Sequence, residues 1–327
     1  LLRLLLEKGK KVKGVFLDYQ TLDQQDLNFS VLTSTLPHWD LFKTTKEDEI
    51  QNRIQHAEVV VTNKVPLSAQ SLENALNLRC ILAAATGCDH IDLKKAKAMG
   101  IAVCNVAGYS TASVIQQTIG FMINMASRII DYQALVLNGT WSRSNLFCLQ
   151  DHQTHELAGK TLGIVGNGAI GSGVARVAKA LGMQVLVAAR ENDHRPDRVP
   201  LNTLLPAVDV LSLHCPLLPE TRHLIDHVAL SKMKQGAFLI NVARGGLVDE
   251  EALAKALLTG HLGGAAVDVL SQEPPAMDHP LLSQPIPGLI VTPHVAWATP
   301  ESRQRLLDEV VLNIQAFLNH QPRNVVG

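Results

Sequence analysis

At 327 residues the chain is too long for one typical core, so two domains are expected. Its 46 % hydrophobic and 18 % charged residues argue against disorder, and a formal net charge of -1 gives no footing for nucleic acid or an acidic membrane surface. Five scattered cysteines without a C-x-x-C fit a reduced, cytoplasmic protein, and no apolar run nears the roughly 18 residues that span a bilayer.

Leu1 to Leu6 is apolar but short and broken by Arg3, so Leu1 to Lys11 reads as a leader or frayed end rather than a signal peptide. Val12 to Asp18 is the first strand, and a polar stretch follows through Ser30. Thr45 is a cap for a helix over Lys46 to His56, with Asp48 in its first turn. Glu58 to Thr62 is a buried-type strand, and Ser68 caps a helix through Leu76. Arg79 to Ala85 is a strand ending in the turn Thr86-Gly87-Cys88-Asp89. Asp92 opens a short helix that stops at Gly100, and Ile101 to Cys104 is another strand. This alternation is the signature of parallel βαβ units. Ser110 to Asn138 reads as one long helix linking the domains, followed by a polar loop, Gly139 to Glu156, that carries Trp141 and Phe147.

The chain's strongest motif comes next. Thr161 to Val165 is an apolar strand that runs into Gly166-Asn167-Gly168-Ala169-Ile170-Gly171. Ile170, Val174, Val177, Ala178 and Leu181 then recur at helical spacing, Gly182 closes the helix, and Gln184 to Ala188 is a strand. Strand, glycine turn, helix and strand together make a dinucleotide site. Gly166 permits the tight turn, Gly168 leaves room for the pyrophosphate, and Gly171 lets the helix pack closely. The helix N-terminus offers N–H groups and partial positive charge to the phosphates.

Further strands are Asp209 to Cys215, Ala237 to Val242, Ala265 to Leu270 and Leu289 to Thr292. Asp249 caps a helix over Glu250 to Leu258, and Thr299-Pro300-Glu301 opens the last helix, which runs to about His320. Ligands of parallel sheets bind beyond the carboxyl ends of the strands. Arg244, Asp268, Glu273 and His294 all stand there. The Arg fork suits a carboxylate, the His carries a proton near neutral pH, and the Glu favours the charged imidazole. With a nicotinamide nearby, this is equipment for hydride transfer to a 2-keto acid. The scattered His and Cys, His90, His214 and His279 among them, show no metal-ligand spacing.

GNGAIG, NVARGGLVDEEAL, AAVDVLSQEPP and TPHVAWAT, in that order, resemble the D-isomer-specific 2-hydroxyacid dehydrogenases, and within them the glycerate dehydrogenases or hydroxypyruvate reductases. VTNKV, AAATGCDHIDL and VCNVAGYSTASV extend the likeness over nearly the whole chain. The resemblance implies an α/β fold in which a Rossmann-type dinucleotide-binding domain (108–296) is inserted into a discontinuous flavodoxin-like substrate domain (1–107 and 297–327), with the cleft between them. It implies a homodimer. Arg244 would bind the substrate carboxylate and polarise the carbonyl, His294 would be the acid-base group, and Glu273 would orient it. Lys64 and the turn Thr86-Gly87-Cys88 would meet the substrate. Asp268 would hold the nicotinamide carboxamide, and Ala169, Ile170, Cys215, Pro216, Thr221, Val242, Ala243 and Ala296 would be further cofactor contacts.

One departure bears on the cofactor. An NAD site usually carries an acid at the end of the second strand, about 20 residues past the first glycine. Here that end reads Ala188-Ala189-Arg190. Arg190 suits a 2′-phosphate, with His194 and Arg195 adding charge, so NADP(H) is expected over NAD(H). The alternative is that Glu191 binds the ribose hydroxyls and Arg190 only stacks. Two other readings remain: a dinucleotide-sensing binding protein of the same fold, and a dehydrogenase for another 2-hydroxy acid. Formate enzymes are set apart by a Gln where Glu273 stands.

Overall fold

The computed structural model describes residues 12–190, 193 and 195–327, so the expectations for Leu1 to Lys11, Glu191 and His194 lie outside the described residues. The chain divides into two compact units: Leu1–Ser110 with Trp297–Gly327, and Thr111–Ala296.

The first unit is a five-stranded parallel sheet of β1 (Lys13–Phe16), β2 (His38–Leu41), β3 (Val59–Thr62), β4 (Cys80–Ala83) and β5 (Ala102–Cys104), in the order β2-β1-β3-β4-β5. This is the flavodoxin-like order. Its central strands read as unbroken apolar runs because both faces are covered. One face packs Phe16, Val59, Val61 and Leu82 against Leu306, Leu307, Val310 and Ile314 of the helix Pro300–Leu318. The other packs Val15, Val60 and Ile81 against Ile50, Ile54 and Leu72. The return of the C-terminal helix makes this unit discontinuous. Arg303 on that helix anchors it through a two-pronged pair with Asp26, at 2.7 and 2.6 Å.

The second unit is a six-stranded parallel sheet of β6 (Thr161–Val165), β7 (Gln184–Val187), β8 (Val210–Leu213), β9 (Phe238–Asn241), β10 (Gly264–Val267) and β11 (Leu289–Val291). Its order is β11-β10-β9-β8-β6-β7, so the winding reverses at β6, where the glycine turn stands. Leu211, Leu213, Leu239, Ala265 and Val267 meet Leu230, Leu253 and Leu257 in one core layer.

Several expectations need correction. The polar stretch through Ser30 carries a helical turn over Tyr19–Thr21, and the short helix Ser30–Thr33 leads on to β2. That strand, His38–Leu41, is a half-exposed edge and carries no apolar run to betray it. Thr45 does not cap its helix: its hydroxyl donates to the Leu17 carbonyl, and the Glu49 carboxylate instead accepts the Lys46 N–H at 2.8 Å. The expected single helix from Ser110 to Asn138 is two, Thr111–Ser127 and Ile129–Leu137. Arg128 breaks it with a left-handed φ of 54°, and the Asn124 side chain takes the Ile130 N–H at 3.1 Å. The helix His227–Lys232, capped by Asp226, was not foreseen. No helix among the described residues is long and apolar enough to cross a membrane.

Candidate active site

The glycine turn is built as its spacing implies. Gly166 takes φ +94°, and a Cβ there would stand 2.6 Å from the Cys215 backbone nitrogen. Gly171 lies under the turn, where a Cβ would come within 2.1 Å of the Gly166 carbonyl oxygen. Gly168, by contrast, faces open space and is the N-cap of the helix Ala169–Ala180, so its amide end is accessible to an anion. Beside it a cavity of about 800 Å³ is lined by Gly166, Ala189, Arg190, Cys215, Pro216 and Thr221, with the acids Asp193 and Glu220 also on its wall. Its size and its apolar floor fit the adenosine end of a dinucleotide. Ala169, Ile170, Val242, Ala243, Asp268 and Ala296 do not line it. The last four lie beyond β9, β10 and β11.

At the cavity lip Arg190 is exposed. Arg195 does not add free charge as expected, because Asp193 holds its guanidinium at 2.8 and 2.6 Å. That pairing pulls the Asp193 carboxyl far below the usual range. A residue the sequence did not reveal stands on the other side. With the Asn167 amide oxygen turned toward it, Arg198 donates both terminal nitrogens to that oxygen at 3.2 Å, bracing the glycine turn from behind. Burial raises the Cys215 thiol, leaving it a packing group.

Arg244, Glu273 and His294 follow β9, β10 and β11, three neighbouring strands. Glu273 Oε2 lies 2.6 Å from His294 Nδ1. Its other oxygen accepts the Leu270 N–H at 2.9 Å. The Glu273–His294 bond engages Nδ1 and leaves Nε2 as the ring nitrogen not held by Glu273. Arg244 is half-buried, and its Nη1 donates to the Ala243 carbonyl at 2.8 Å. Asn241, at the end of β9, donates to the Arg244 carbonyl at 2.9 Å and accepts the Ala243 N–H at 3.1 Å, which fixes the loop.

Asp268 is 1 % exposed and does more than the sequence suggested. Its Oδ1 accepts the Thr292 hydroxyl and the Val295 N–H, and its Oδ2 accepts the Ala296 N–H. Its backbone carbonyl accepts the His294 N–H at 2.8 Å. His294 itself has a left-handed φ of 55°, a strained conformation that this wrapping holds in place. Burial raises the Asp268 pKa, opposed by those donors and by His294.

In the first unit, Lys64 and the turn Thr86-Gly87-Cys88 follow the adjacent strands β3 and β4. Asp18 was not singled out in the sequence, yet its buried carboxylate accepts the N–H groups of Asn63, Lys64 and Val65 at 2.9, 2.7 and 3.3 Å. Thr86 donates its hydroxyl to the Val106 carbonyl at 2.9 Å. Burial pushes the Cys88 thiol up to about 11. Among the described residues no group of three or more His, Cys, Asp or Glu could hold a metal.

Residues 119–296 match the family model of the D-isomer specific 2-hydroxyacid dehydrogenase, NAD binding domain. The chain belongs to this family. A glycerate dehydrogenase of Methylorubrum extorquens is 43 % identical over 96 % of this chain and 98 % of its own length. A hydroxypyruvate reductase of Blautia hydrogenotrophica is 38 % identical over 97 % of this chain and all of its own. The crystal structure of a Thermus thermophilus protein superposes with a TM-score of 0.85 at 32 % identity, covering 97 % of this chain and 100 % of that one. The residues matched to the family model lie within the unit Thr111–Ala296, which carries Arg244, Glu273 and His294.

Proposed function

We propose that the chain reduces a small 2-keto acid, hydroxypyruvate or glyoxylate, to the D-2-hydroxy acid with NADPH. The observation that carries the reading is the 2.6 Å pair of Glu273 and His294 on a strand end beside that of Arg244. The nicotinamide supplies the hydride when bound. Arg244 pairs its guanidinium with the substrate carboxylate and polarises the carbonyl. His294 gives a proton from Nε2 to the carbonyl oxygen in reduction and takes it back in oxidation. Glu273 orients the ring and stabilises its charged form. Asp268, which shapes the His294 turn, would hold the nicotinamide carboxamide. Residues 108–296 form the cofactor domain. Residues 1–107 and 297–327 form the substrate domain, where Lys64 and Thr86-Gly87-Cys88 meet the substrate. The names of the relatives support the substrate class.

Two features support NADPH. Ala189 stands where an acid would grip the ribose hydroxyls, and Arg190 lies exposed at the cavity lip, where a 2′-phosphate would meet it. The test is oxidation of NADPH and NADH side by side with hydroxypyruvate. Faster NADPH turnover, with the preference reversed by Arg190→Asp, is the expected result. A native preference for NADH would overturn the Arg190 assignment. Tight cofactor binding without turnover of any 2-keto acid would point to a dinucleotide sensor.

We also propose a homodimer. No residue of the helix Ile129–Leu137 is buried, and Ile129, Ile130, Val136, Leu137, Leu146 and Phe147 are all exposed. A second copy covering these side chains accounts for their exposure. Sedimentation should give twice the chain mass, and Ile130→Glu with Leu137→Glu should halve it. All five cysteines are free, which supports a reducing, cytoplasmic setting.

A further inference from the structure

Glu273 stands on a turn whose residues, Ser271 to Asp278, are all exposed. Such a turn has little packing of its own to fix a carboxylate within a fraction of an ångström. Two nearly buried side chains hold it from below. Glu250, the first residue of the helix Glu250–Leu258, has an 11 % exposed side chain, and that of His279 beside it is 6 % exposed. Glu250 Oε1 accepts the Ser271 N–H at 2.8 Å, while Oε2 accepts the Ser271 hydroxyl and meets His279 Nε2 at 3.1 Å. His279 Nδ1 accepts the Leu281 N–H at 3.3 Å. The ring proton therefore sits on Nε2 and is donated to Glu250.

The same turn is pressed against the Arg244 loop. A Cβ on Gly245 would stand 1.9 Å from the Leu270 carbonyl carbon. Leu270 donates its N–H to Glu273 Oε1 at 2.9 Å, and Glu273 Oε2 meets His294 Nδ1 at 2.6 Å. The contacts thus run from His279 through Glu250 to Ser271, along the backbone to Leu270, and from the Leu270 N–H through Glu273 to His294. An acid in the first turn of a helix needs no such arrangement, since solvated charge already favours the dipole, and the exposed Glu251 serves that purpose.

We propose that Glu250 and His279 are positioning residues for the reduction, clamping the Leu270–Glu273 turn against the Arg244 loop so that Glu273 faces His294. This rests on the catalytic reading above. Among the described residues, charged groups that interact with His294 include Glu273, from the clamped turn, and Asp268, from the end of β10. Loss of the clamp displaces the first, so it weakens the stabilisation of the charged imidazole.

The test is steady-state reduction of hydroxypyruvate by the full chain from about pH 5.5 to about pH 9, with melting curves as a folding control. Glu250→Ala should lower kcat about ten- to a hundredfold with KM changed less than about threefold. The alkaline fall of kcat/KM should move to lower pH by about half a unit to one unit. Ser271→Ala, at an exposed position, should move it less in the same direction. His279→Gln, whose amide N–H reaches Glu250, should restore most of what His279→Ala loses. Profiles that superimpose on the wild type after scaling, or His279→Gln no better than His279→Ala, would overturn the clamp. His294→Ala in the same assay separates the two ideas. Full turnover there removes the catalytic reading and the clamp with it. An inactive His294→Ala beside an unshifted Glu250→Ala removes the clamp alone.

Discussion

His294 combines a strained backbone with a fixed ring: its φ is 55°, its Nδ1 is held by Glu273, and its N–H is held by the Asp268 carbonyl. Each restraint narrows where Nε2 points, which is what proton transfer requires. His294→Ala should therefore lose about a hundredfold or more in kcat, with cofactor affinity kept. Arg244→Ala should lose both kcat and substrate affinity. Arg244→Lys should recover little, because an ammonium lacks the planar fork. Both are read from hydroxypyruvate kinetics, and near-native turnover in either Ala variant would refute the assigned roles. The sequence points to Arg244, Glu273 and His294 because each is a chemically capable side chain just past an apolar strand. Asp268 stands out in the sequence as a strand-end acid but not as the anchor of the His294 turn. Its partners at Val295 and Ala296 are backbone N–H groups, which carry no sequence signal.

At the scale of elements, hydrophobic runs and glycine positions determined most of what forms. VVVT in β3 and CILA in β4 are wholly buried, so nothing but strand propensity and burial shapes them. β2 escaped notice because an edge strand is half-solvated and its HWDL has no such run. The break at Arg128 was hidden too, since an Arg gives no warning of a left-handed conformation. The glycine turn shows what a required glycine means. Gly166→Ala would add strain at φ +94° and a 2.6 Å clash with the Cys215 backbone. NADPH affinity, measured by titration of its fluorescence, should fall at least about tenfold. Unchanged affinity would show that the turn does not hold the cofactor.

Across the whole molecule, half-buried imidazoles make stability depend on pH. Burial holds His214 at about 4, against 6.5 for a free imidazole. Burial is also the largest cause that brings His90 to about 4. Between these values the unfolded chain takes up protons that the folded chain refuses. Stability is therefore full above about pH 6.5 and falls as pH drops toward about 4, by up to about 3 kcal/mol for His214 alone. Asp18 and Asp268, raised by burial, act in the opposite sense, so the His term is isolated by comparison. In urea unfolding the wild type should lose more stability than His214→Asn on going from about pH 7.5 to about pH 5. Parallel losses would refute this origin.

By itself the sequence determined the parallel α/β class, the glycine turn and the residues at the strand ends. These follow from local patterns: period, apolar runs, and glycine where no side chain fits. Tertiary structure alone decided that Asp18 and Asp268 wrap distant loops, and that Glu250 and His279 grip the Ser271 turn. Each depends on the direction of a polar side chain toward a group far along the chain. Hydrophobic periodicity reports which face is buried, but it does not say which donor will meet which carboxylate.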